Sequence, residues 1–103
     1  LGCSSLTSVI IPESVMSIGN HAFNGCSSLE SVIIPESVMS IGYMAFRVCS
    51  SLTSVTFEGA IPEDDFDTNA FRWLGDLRDK YLDGGIGTYT RSGSGSSSTW
   101  TKE

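Results

Sequence analysis

The sequence predicts a repeat solenoid with a short-strand parallel sheet, closed at its C-terminal end by a small cap. Cys3, Cys26 and Cys49 lie 23 residues apart, and the leucines and valines that follow them keep the same spacing. The last third of the chain lacks this pattern. A unit of this size cannot bury a core alone, so neighbouring units must stack on one another.

The predicted repeat region spans residues 1–71 and divides into three units, 1–23, 24–46 and 47–71. The first two units differ at only four positions. The third is two residues longer and diverges after Phe57, but it ends on Ala70-Phe71 as the second ends on Ala45-Phe46. We therefore expect equivalent residues of the three units to form columns.

Each unit is predicted to contain one short strand. In the second unit Val32 and Ile34 alternate with other residues and so share one face of a strand. Pro35 removes a backbone donor and ends the pairing. The remainder, through Val38 and Phe46, returns to the next strand without a helix of useful length, because Val, Ile, Ser and Gly dominate it. Stacked units place identical side chains, such as Phe on Phe, about 4.8 Å apart.

The pattern G-C-S-S-L-x-S-V-I-I-P-x-S-V-x-x-I-G-x-x-A-F resembles the BspA-like leucine-rich repeat, also called the Treponema pallidum type, over residues 1–71. The resemblance implies a leucine-rich-repeat solenoid, which is a right-handed α/β-type coil, with the cysteines in a buried column. It also implies an exported or surface protein that attaches bacteria to host matrix proteins, such as fibronectin or fibrinogen, or to other bacteria.

The C-terminal residues 72–103 are predicted to cover the open end of the repeats. A short helix is expected over 76–83, with Asp76 as its N-cap and glycines after it as a stop. Leu77 and Tyr81 are spaced four residues apart, as are Asp76 and Lys80, so each pair lies on one side of the helix.

A β-hairpin is predicted over 87–102, with residues 92–97 as its loop. The symmetric register sets Tyr89 opposite Trp100, with Thr88 opposite Thr101 and Thr90 opposite Thr99. The two aromatic residues are interpreted as packing partners within the cap, and an aromatic ligand platform is the alternative. A second alternative is that the Gly/Ser stretch is a plain disordered tail.

Composition excludes several classes of function. The chain has 12 acidic and 6 basic side chains and a formal net charge of −6, which argues against a duplex nucleic-acid binder. No apolar run has the length of a membrane span. We expect no cofactor.

The cysteines are the first candidate metal ligands. Zinc sites normally use ligands in close pairs such as C-x-x-C, and here each repeat supplies one cysteine. Buried free thiols that act as small hydrophobic side chains are the favoured interpretation. A disulfide between adjacent members of the column is the alternative, at the cost of straining two parallel units.

The other candidate sites are the acidic loop and the single histidine. Asp65-x-Asp67-x-Asn69 superficially matches a calcium loop, but its sixth position is Ala70, where the turn needs Gly. A solvated acidic loop is therefore favoured. His21 aligns with Met44 in the next unit and is expected to be exposed, without a nucleophile or carboxylate partner. We predict no catalytic residue, no metal site and no enzyme.

The outward face of the sheet is the predicted binding surface. If Val9 and Ile11 point inward, their neighbours point outward, and solenoids use such faces as extended platforms. A flat face with an apolar stripe favours a protein partner over a small molecule. The candidate residues are Thr7, Ser8, Ile10, Glu30, Ser31, Ile33, Thr53, Ser54 and Thr56.

The chain begins inside the repeat pattern, so the first unit is expected to be uncovered. We expect Leu6, Val9, Ile11, Ile18 and Phe23 to be exposed there and to pack against another copy of the chain. The predicted function is non-catalytic protein binding, at the cell surface or after secretion. The alternative is a structural, self-assembling spacer without a specific ligand.

Overall fold

The computed structural model describes residues 5–93 and 98–103. In chain order its elements are β1 (Ser8–Ile10), β2 (Ser17–Ile18), β3 (Ser31–Ile34), β4 (Ser40–Ile41), β5 (Ser54–Phe57), a 3₁₀ helix (Glu63–Asp65), α1 (Leu77–Gly84), β6 (Gly87–Thr90) and β7 (Thr101–Lys102).

The main sheet is mixed and has the strand order β1-β3-β5-β6-β7. Its first three strands are parallel, and Ser8, Ser31 and Ser54 pair with one another in register. The cap strands β6 and β7 continue the sheet in antiparallel fashion. The strands β2 and β4 form a second, parallel pair, and Phe66 adds one isolated bridge to Ile41. The repeats and the cap therefore share one sheet, with a single helix on the C-terminal side.

The strands form where the sequence alternates. In β3, Val32 and Ile34 are buried and Ser31 and Ile33 are exposed, as the period of two predicts. Pro35 follows the strand directly and has no N–H to donate to a ladder. The predicted alternation is confirmed, and it separates a core face of the sheet from a solvent face.

Equivalent residues of successive repeats stack in the core. The rings of Phe23 and Phe46 lie 5.1 Å apart between centroids, and those of Phe46 and Phe71 lie 4.8 Å apart with nearly parallel planes. Leu29 and Leu52 are both fully buried one repeat apart. The predicted stacking of phenylalanine on phenylalanine is confirmed. The spacing between neighbouring strands brings identical rings into contact.

The expectation that the first repeat exposes its core is wrong for most of the named residues. Ile11 and Ile18 are buried, and Val9 and Phe23 are half-buried. Leu6 alone among the five is exposed. The second repeat provides the cover, since Ile18 pairs with Ile41 and Phe23 stacks on Phe46.

The cap helix begins and ends one residue later than predicted, at Leu77 and Gly84. Asp76 occupies the N-cap position, but its side chain makes no capping hydrogen bond. Its carboxylate accepts from the backbone N–H of Trp100 at 2.8 Å and forms an ion pair with Lys80 at 3.2 Å. Asp76 therefore joins the helix to the last strand of the sheet instead of closing the helix end.

Two residues of the helix, Leu77 and Tyr81, are buried against the third repeat, as their spacing predicts. The Tyr81 hydroxyl donates to the Gly59 carbonyl and accepts from the Ile61 N–H, each at 2.8 Å. The Tyr81 ring lies 4.1 Å from the ring of Phe57 between centroids. A helix of this length is marginal by itself, and these contacts stabilise it.

The predicted register of the hairpin is wrong by two residues. Thr90 pairs with Thr101 instead of Thr99, and Tyr89 pairs with Lys102 instead of Trp100. The register is set from outside the hairpin, because β6 pairs along its other edge with β5 and Asp76 holds the Trp100 backbone. The predicted loop, 92–97, lies mostly outside the described residues.

Arg91 is the buried charged residue that holds the cap to the repeats. It is 5% exposed, and burial lowers the pKa of its guanidinium below the usual value, although arginine stays protonated in proteins. The guanidinium also lies over the Trp100 ring at 5.1 Å. It donates to the carbonyls of Leu52 (2.7 Å), Leu74 (3.2 Å) and Ser50 (3.3 Å), and to the Ser98 hydroxyl (3.2 Å).

We predict that Arg91→Met lowers the free energy of unfolding by about 3 kcal/mol or more, because buried carbonyls lose charge-assisted donors. Arg91→Lys is expected to lose much of the same stability, since an ammonium cannot reproduce the planar fork. Urea unfolding followed by tryptophan fluorescence measures both. The control is Arg47→Met at a half-exposed position, with an expected change of about 0.5 kcal/mol or less. A loss below about 1 kcal/mol in both Arg91 variants would contradict this account.

Candidate functional site

The outward face of the main sheet carries two rows of side chains that run across its strands. One row is made of hydroxyls, from Ser8, Ser31 and Ser54 into the cap at Thr90 and Thr101. The second row begins with Ile10 and Ile33 and continues through Thr56 and Thr88. Each row joins positions that are directly opposite in register, so neighbouring side chains lie at strand spacing.

The apolar end of the second row is open to solvent. Ile10 is 91% exposed and its neighbour Ile33 is 52% exposed. Towards the cap the row becomes polar, and the hydroxyls of Thr56 and Thr88 lie 2.9 Å apart, which is hydrogen-bonding distance. The face therefore changes from an isoleucine pair to a threonine pair over four strands.

A third row lies just before the strands and includes Thr7, Glu30 and Thr53. The N–H of Glu30 donates to the Thr7 carbonyl at 2.8 Å, and the N–H of Thr53 donates to the Glu30 carbonyl at 2.9 Å. Thr7 and Glu30 are exposed, and Thr53 is half-buried. Glu30 is the one ionised side chain among the nine candidate residues.

The structure brings all nine candidate residues onto one continuous surface. Thr7, Ser8, Glu30 and Ser31 are exposed like the two isoleucines, whereas Thr53, Ser54 and Thr56 are half-buried because the cap strand β6 lies beside them. Whether the surface binds a partner stays a prediction.

Sequence reasoning missed the cap residues of this surface, Thr88, Thr90 and Thr101. The alternation in Gly87-Thr-Tyr-Thr90 was available as a signal. It was interpreted as pairing within an isolated hairpin, whereas β6 pairs with β5 as well. The same alternation turns Tyr89 into the core, where it is 1% exposed, and this burial excludes Tyr89 from a ligand platform.

One carboxylate of the acidic loop is used locally. Asp67 accepts a hydrogen bond from the backbone N–H of Asn69 at 2.8 Å, which forms a turn through its own side chain. Ala70, at the position where a calcium loop needs glycine, is fully buried. In residues 5–93 and 98–103 no three acidic, histidine or cysteine side chains converge on a site for a metal ion.

The same loop forms one wall of a surface depression. Asp64, Asp65 and Asp67 line the depression together with Asn20 and Tyr43. The side-chain oxygen Oδ1 of Asn20 accepts a hydrogen bond from the backbone N–H of Tyr43 at 2.9 Å. The Asn20 side chain thus binds the backbone of the neighbouring repeat. The depression was not predicted, because the residues that form it come from three separate repeats.

His21 is exposed, as predicted. Its Nδ1 lies 2.9 Å from the Asn24 side-chain nitrogen, and its ring contacts Tyr43 edge-on at 5.5 Å. These contacts lie on the surface and pair the imidazole with an amide and a ring. Among the described residues, these contacts of His21 include neither the nucleophile nor the carboxylate that acid–base or nucleophilic catalysis would need beside a histidine.

The cysteine column departs in part from the prediction. Cys49 is a free thiol, fully buried, and donates to the Phe23 carbonyl at 3.1 Å. Cys26 is disulfide-bonded, so the free-thiol interpretation is wrong at that position. Cys3 lies outside the described residues. The wrong expectation assumed that a bridge between stacked units would be strained.

Comparison with protein families gives one match. A family model described as a BspA type leucine-rich repeat region, in six copies, matches residues 1–91. The match continues through the cap strand β6. Comparison with curated proteins and with solved structures finds no match to the chain. Within the part of the chain that the structure describes, no helix is long and apolar enough to cross a membrane.

We predict that Cys49 resists thiol reagents in the folded protein. Burial raises the pKa of the Cys49 thiol from 9.0 to about 11, and the thiolate is the reactive species. Iodoacetamide at pH 8 should therefore label Cys49 slowly in the native chain and rapidly in urea, as measured by mass spectrometry of its peptide. Rapid native labelling would contradict the burial of this thiol.

The same pKa predicts a dependence of stability on pH. The unfolded thiol loses its proton near 9.0 while the folded thiol keeps it to about 11, so the free energy of unfolding falls as pH rises through this window. Cys49→Ala lacks this contribution, and the difference between the two urea-unfolding series isolates it. Parallel series above pH 9.0 would show that the thiol does not contribute.

Proposed function

Because the chain belongs to the BspA-type leucine-rich repeat family, we propose that it is a non-catalytic protein-interaction module that binds a partner through the outer face of its main sheet. Such repeats typically mediate protein interactions. The observation that carries the proposal is the pair Ile10 and Ile33, which are neighbours in register and 91% and 52% exposed.

The isoleucine pair offers binding energy that the isolated chain leaves unused. Full burial of an isoleucine side chain is worth about 1.5–3 kcal/mol, and the two side chains are adjacent, so a single partner group can cover both. The hydroxyl row beside them can hydrogen-bond at the margin of the contact. An apolar centre with a polar rim is the usual anatomy of a protein interface.

The charge and shape of the face favour a protein surface as the partner. Both rows across the strands consist of uncharged side chains up to Thr88 and Thr101, and Glu30 adds one carboxylate at their margin. A flat sheet face encloses too little of a small molecule to bind it tightly. We propose a host matrix protein, or a protein on another cell, as the partner class.

We also propose that the protein is surface-located or secreted. BspA-type repeat proteins are commonly found in these locations. The disulfide at Cys26 supports the proposal, since disulfides persist in oxidising environments outside the cytosol.

The finer description of the fold is a proposal too. We propose a right-handed solenoid of three units, 1–23, 24–46 and 47–71, closed by a cap over 72–103. The parallel stacking of β1 on β3 and of β2 on β4, with residues one repeat apart in register, supports this description.

We predict that Ile10→Lys combined with Ile33→Lys abolishes capture of the partner. Lysine places a charge where an apolar contact forms, and the exposed positions keep the change in unfolding free energy to about 1 kcal/mol. The measurement is a pull-down with immobilised fibronectin and fibrinogen, followed by surface plasmon resonance on whichever protein binds.

A matched control is Met16→Lys combined with Met39→Lys. These residues are also one repeat apart, are 69% and 50% exposed, and lie beside β2 and β4 instead of on the main sheet. The control variant should bind like the wild-type chain. Equal binding by the isoleucine variant and the wild type would show that the sheet face is not the binding surface.

Self-assembly is the second candidate function, and a groove beside β1 favours it. β1 is an edge strand of the main sheet, and Val9, Ile11, Val15 and Phe23 line an apolar groove next to it. Edge strands pair readily with another chain. We propose that a second copy of this chain covers the groove. The opposite edge of the sheet is formed by the antiparallel strands β6 and β7, so the equivalent edges β1 of the two copies meet in a two-fold contact.

The two candidates differ in the expected mass of the free chain. Light scattering should give a dimer at high concentration, and Ala22→Lys, an exposed position that lines the groove, should give a monomer. A strictly monomeric wild-type chain at high concentration would exclude self-assembly. The sheet-face proposal predicts that Ala22→Lys leaves partner capture unchanged.

A further inference from the structure

Four residues outside the main sheet form what we name the Arg–Trp patch: the exposed Val48, Arg72 and Trp73 and the half-exposed Arg47. They lie in the turns that follow Ala45-Phe46 and Ala70-Phe71, so they occupy equivalent places in successive repeats. Trp73 is 50% exposed and Val48 is 38% exposed. We propose that the Arg–Trp patch binds a short acidic segment of a partner protein that carries an aromatic or aliphatic side chain among its carboxylates.

The first argument is that folding does not favour these residues. Gly25 occupies the position of Val48 one repeat earlier and that of Trp73 two repeats earlier. The three residues have left-handed φ values of 84°, 63° and 74°. Glycine adopts this conformation without steric cost, whereas a β-branched valine there is an outlier and tryptophan is also disfavoured. The turn at Val48 in the third unit and the turn at Trp73 directly after it thus carry strain that the sequence Asn24-Gly25 avoids.

The strain is not offset by burial, since both side chains remain partly in solvent. Trp73 has one face covered by Arg72, whose guanidinium carbon lies 4.7 Å from the ring centroid. The Arg72 guanidinium also donates to the Asn69 side-chain oxygen at 3.2 Å, and this holds it over the ring. Strained, exposed residues held in a fixed geometry are found where a binding function maintains them.

The second argument is charge. The whole chain has 6 basic and 12 acidic side chains, yet both arginines of the patch replace the uncharged Asn24 of the earlier repeat. Among the described residues the one ion pair joins Lys80 to Asp76, so neither patch arginine has a carboxylate partner there. Two guanidiniums without a carboxylate partner among the described residues, one of them stacked on a tryptophan, match a ligand with carboxylates and an apolar group.

The arginines determine which class of partner fits. Arg presents a planar fork that binds carboxylate in bidentate fashion, and Trp and Arg are the residues most enriched at binding hot spots. The net charge of −6 would repel an acidic ligand at long range. At physiological salt the screening length is about 8 Å, so contacts at the patch itself dominate.

The test uses a fluorescein-labelled random copolymer of glutamate and tyrosine as the probe, with fluorescence anisotropy as the readout. Polyglutamate, a lysine–tyrosine copolymer and heparin are the comparison probes. The wild-type chain should bind the glutamate–tyrosine copolymer about tenfold or more tightly than each of the others, because only this probe combines carboxylates with an apolar group. Equal binding of heparin, or no binding of the copolymer, would overturn the proposal.

The variants restore the sequence of the earlier repeat. Arg72→Asn with Trp73→Gly recreates Asn24-Gly25 directly after the third unit, and Arg47→Asn with Val48→Gly recreates it at the start of that unit. The first pair should weaken copolymer binding about tenfold or more and leave the urea midpoint unchanged or higher, since glycine relieves the strain. Retained binding in this variant would overturn the proposal, and so would a lower urea midpoint, which would show that folding maintains these residues.

Two further variants separate the patch from other effects. Lys102→Asn removes one positive charge outside the patch and should leave copolymer binding within about twofold of wild type. Ile10→Ser with Ile33→Ser removes the apolar pair of the sheet face without adding charge and should also leave it unchanged. Loss of copolymer binding in the isoleucine variant would assign the ligand to the sheet face and overturn the patch proposal, whatever the outcome of the matrix-protein pull-down.

Discussion

The register between repeats is the constraint on which the structure depends. Parallel strands place Ser8, Ser31 and Ser54 side by side, and every other residue of a repeat must then meet its own equivalent. Small differences are tolerated where side chains face solvent. The two extra residues of the third repeat are accommodated in the loop around the 3₁₀ helix, so that Phe71 still stacks on Phe46. The repeated sequence thus produces columns of identical residues in the core.

The C-terminal strands continue the main sheet in register while reversing the chain direction. β6 pairs with β5 in antiparallel fashion, Tyr81 packs on Phe57, and Trp100 is fully buried. Arg91 then satisfies carbonyls of the last repeat that have no strand to pair with. A buried guanidinium suits this task, since its five donors can serve several acceptors at once.

The repeats could be predicted from the sequence to a large extent, and the cap only in part. Alternation identified the buried Val32 and Ile34, and spacing identified Leu77 and Tyr81, because each signal is local. The hairpin register depends on partners far along the chain, such as Asp76 for Trp100, and local pairing rules cannot see them. Likewise the sequence predicts the candidate face up to Thr56. The part of the face on β6 could not be predicted, because it depends on the pairing of β6 with β5. The left-handed turns at Val48 and Trp73 could not be predicted from a local glycine, because non-glycine residues stand where the preceding unit has Gly25.

The way the cap is attached has a consequence for how such proteins change in length. The described acceptors of Arg91 lie between Ser50 and Ser98, in the last repeat and the segment that follows it. A repeat duplicated or lost further towards the N-terminus would leave these contacts intact. Gene duplication could therefore lengthen or shorten the array in steps of 23 residues without any compensating change at its closed end.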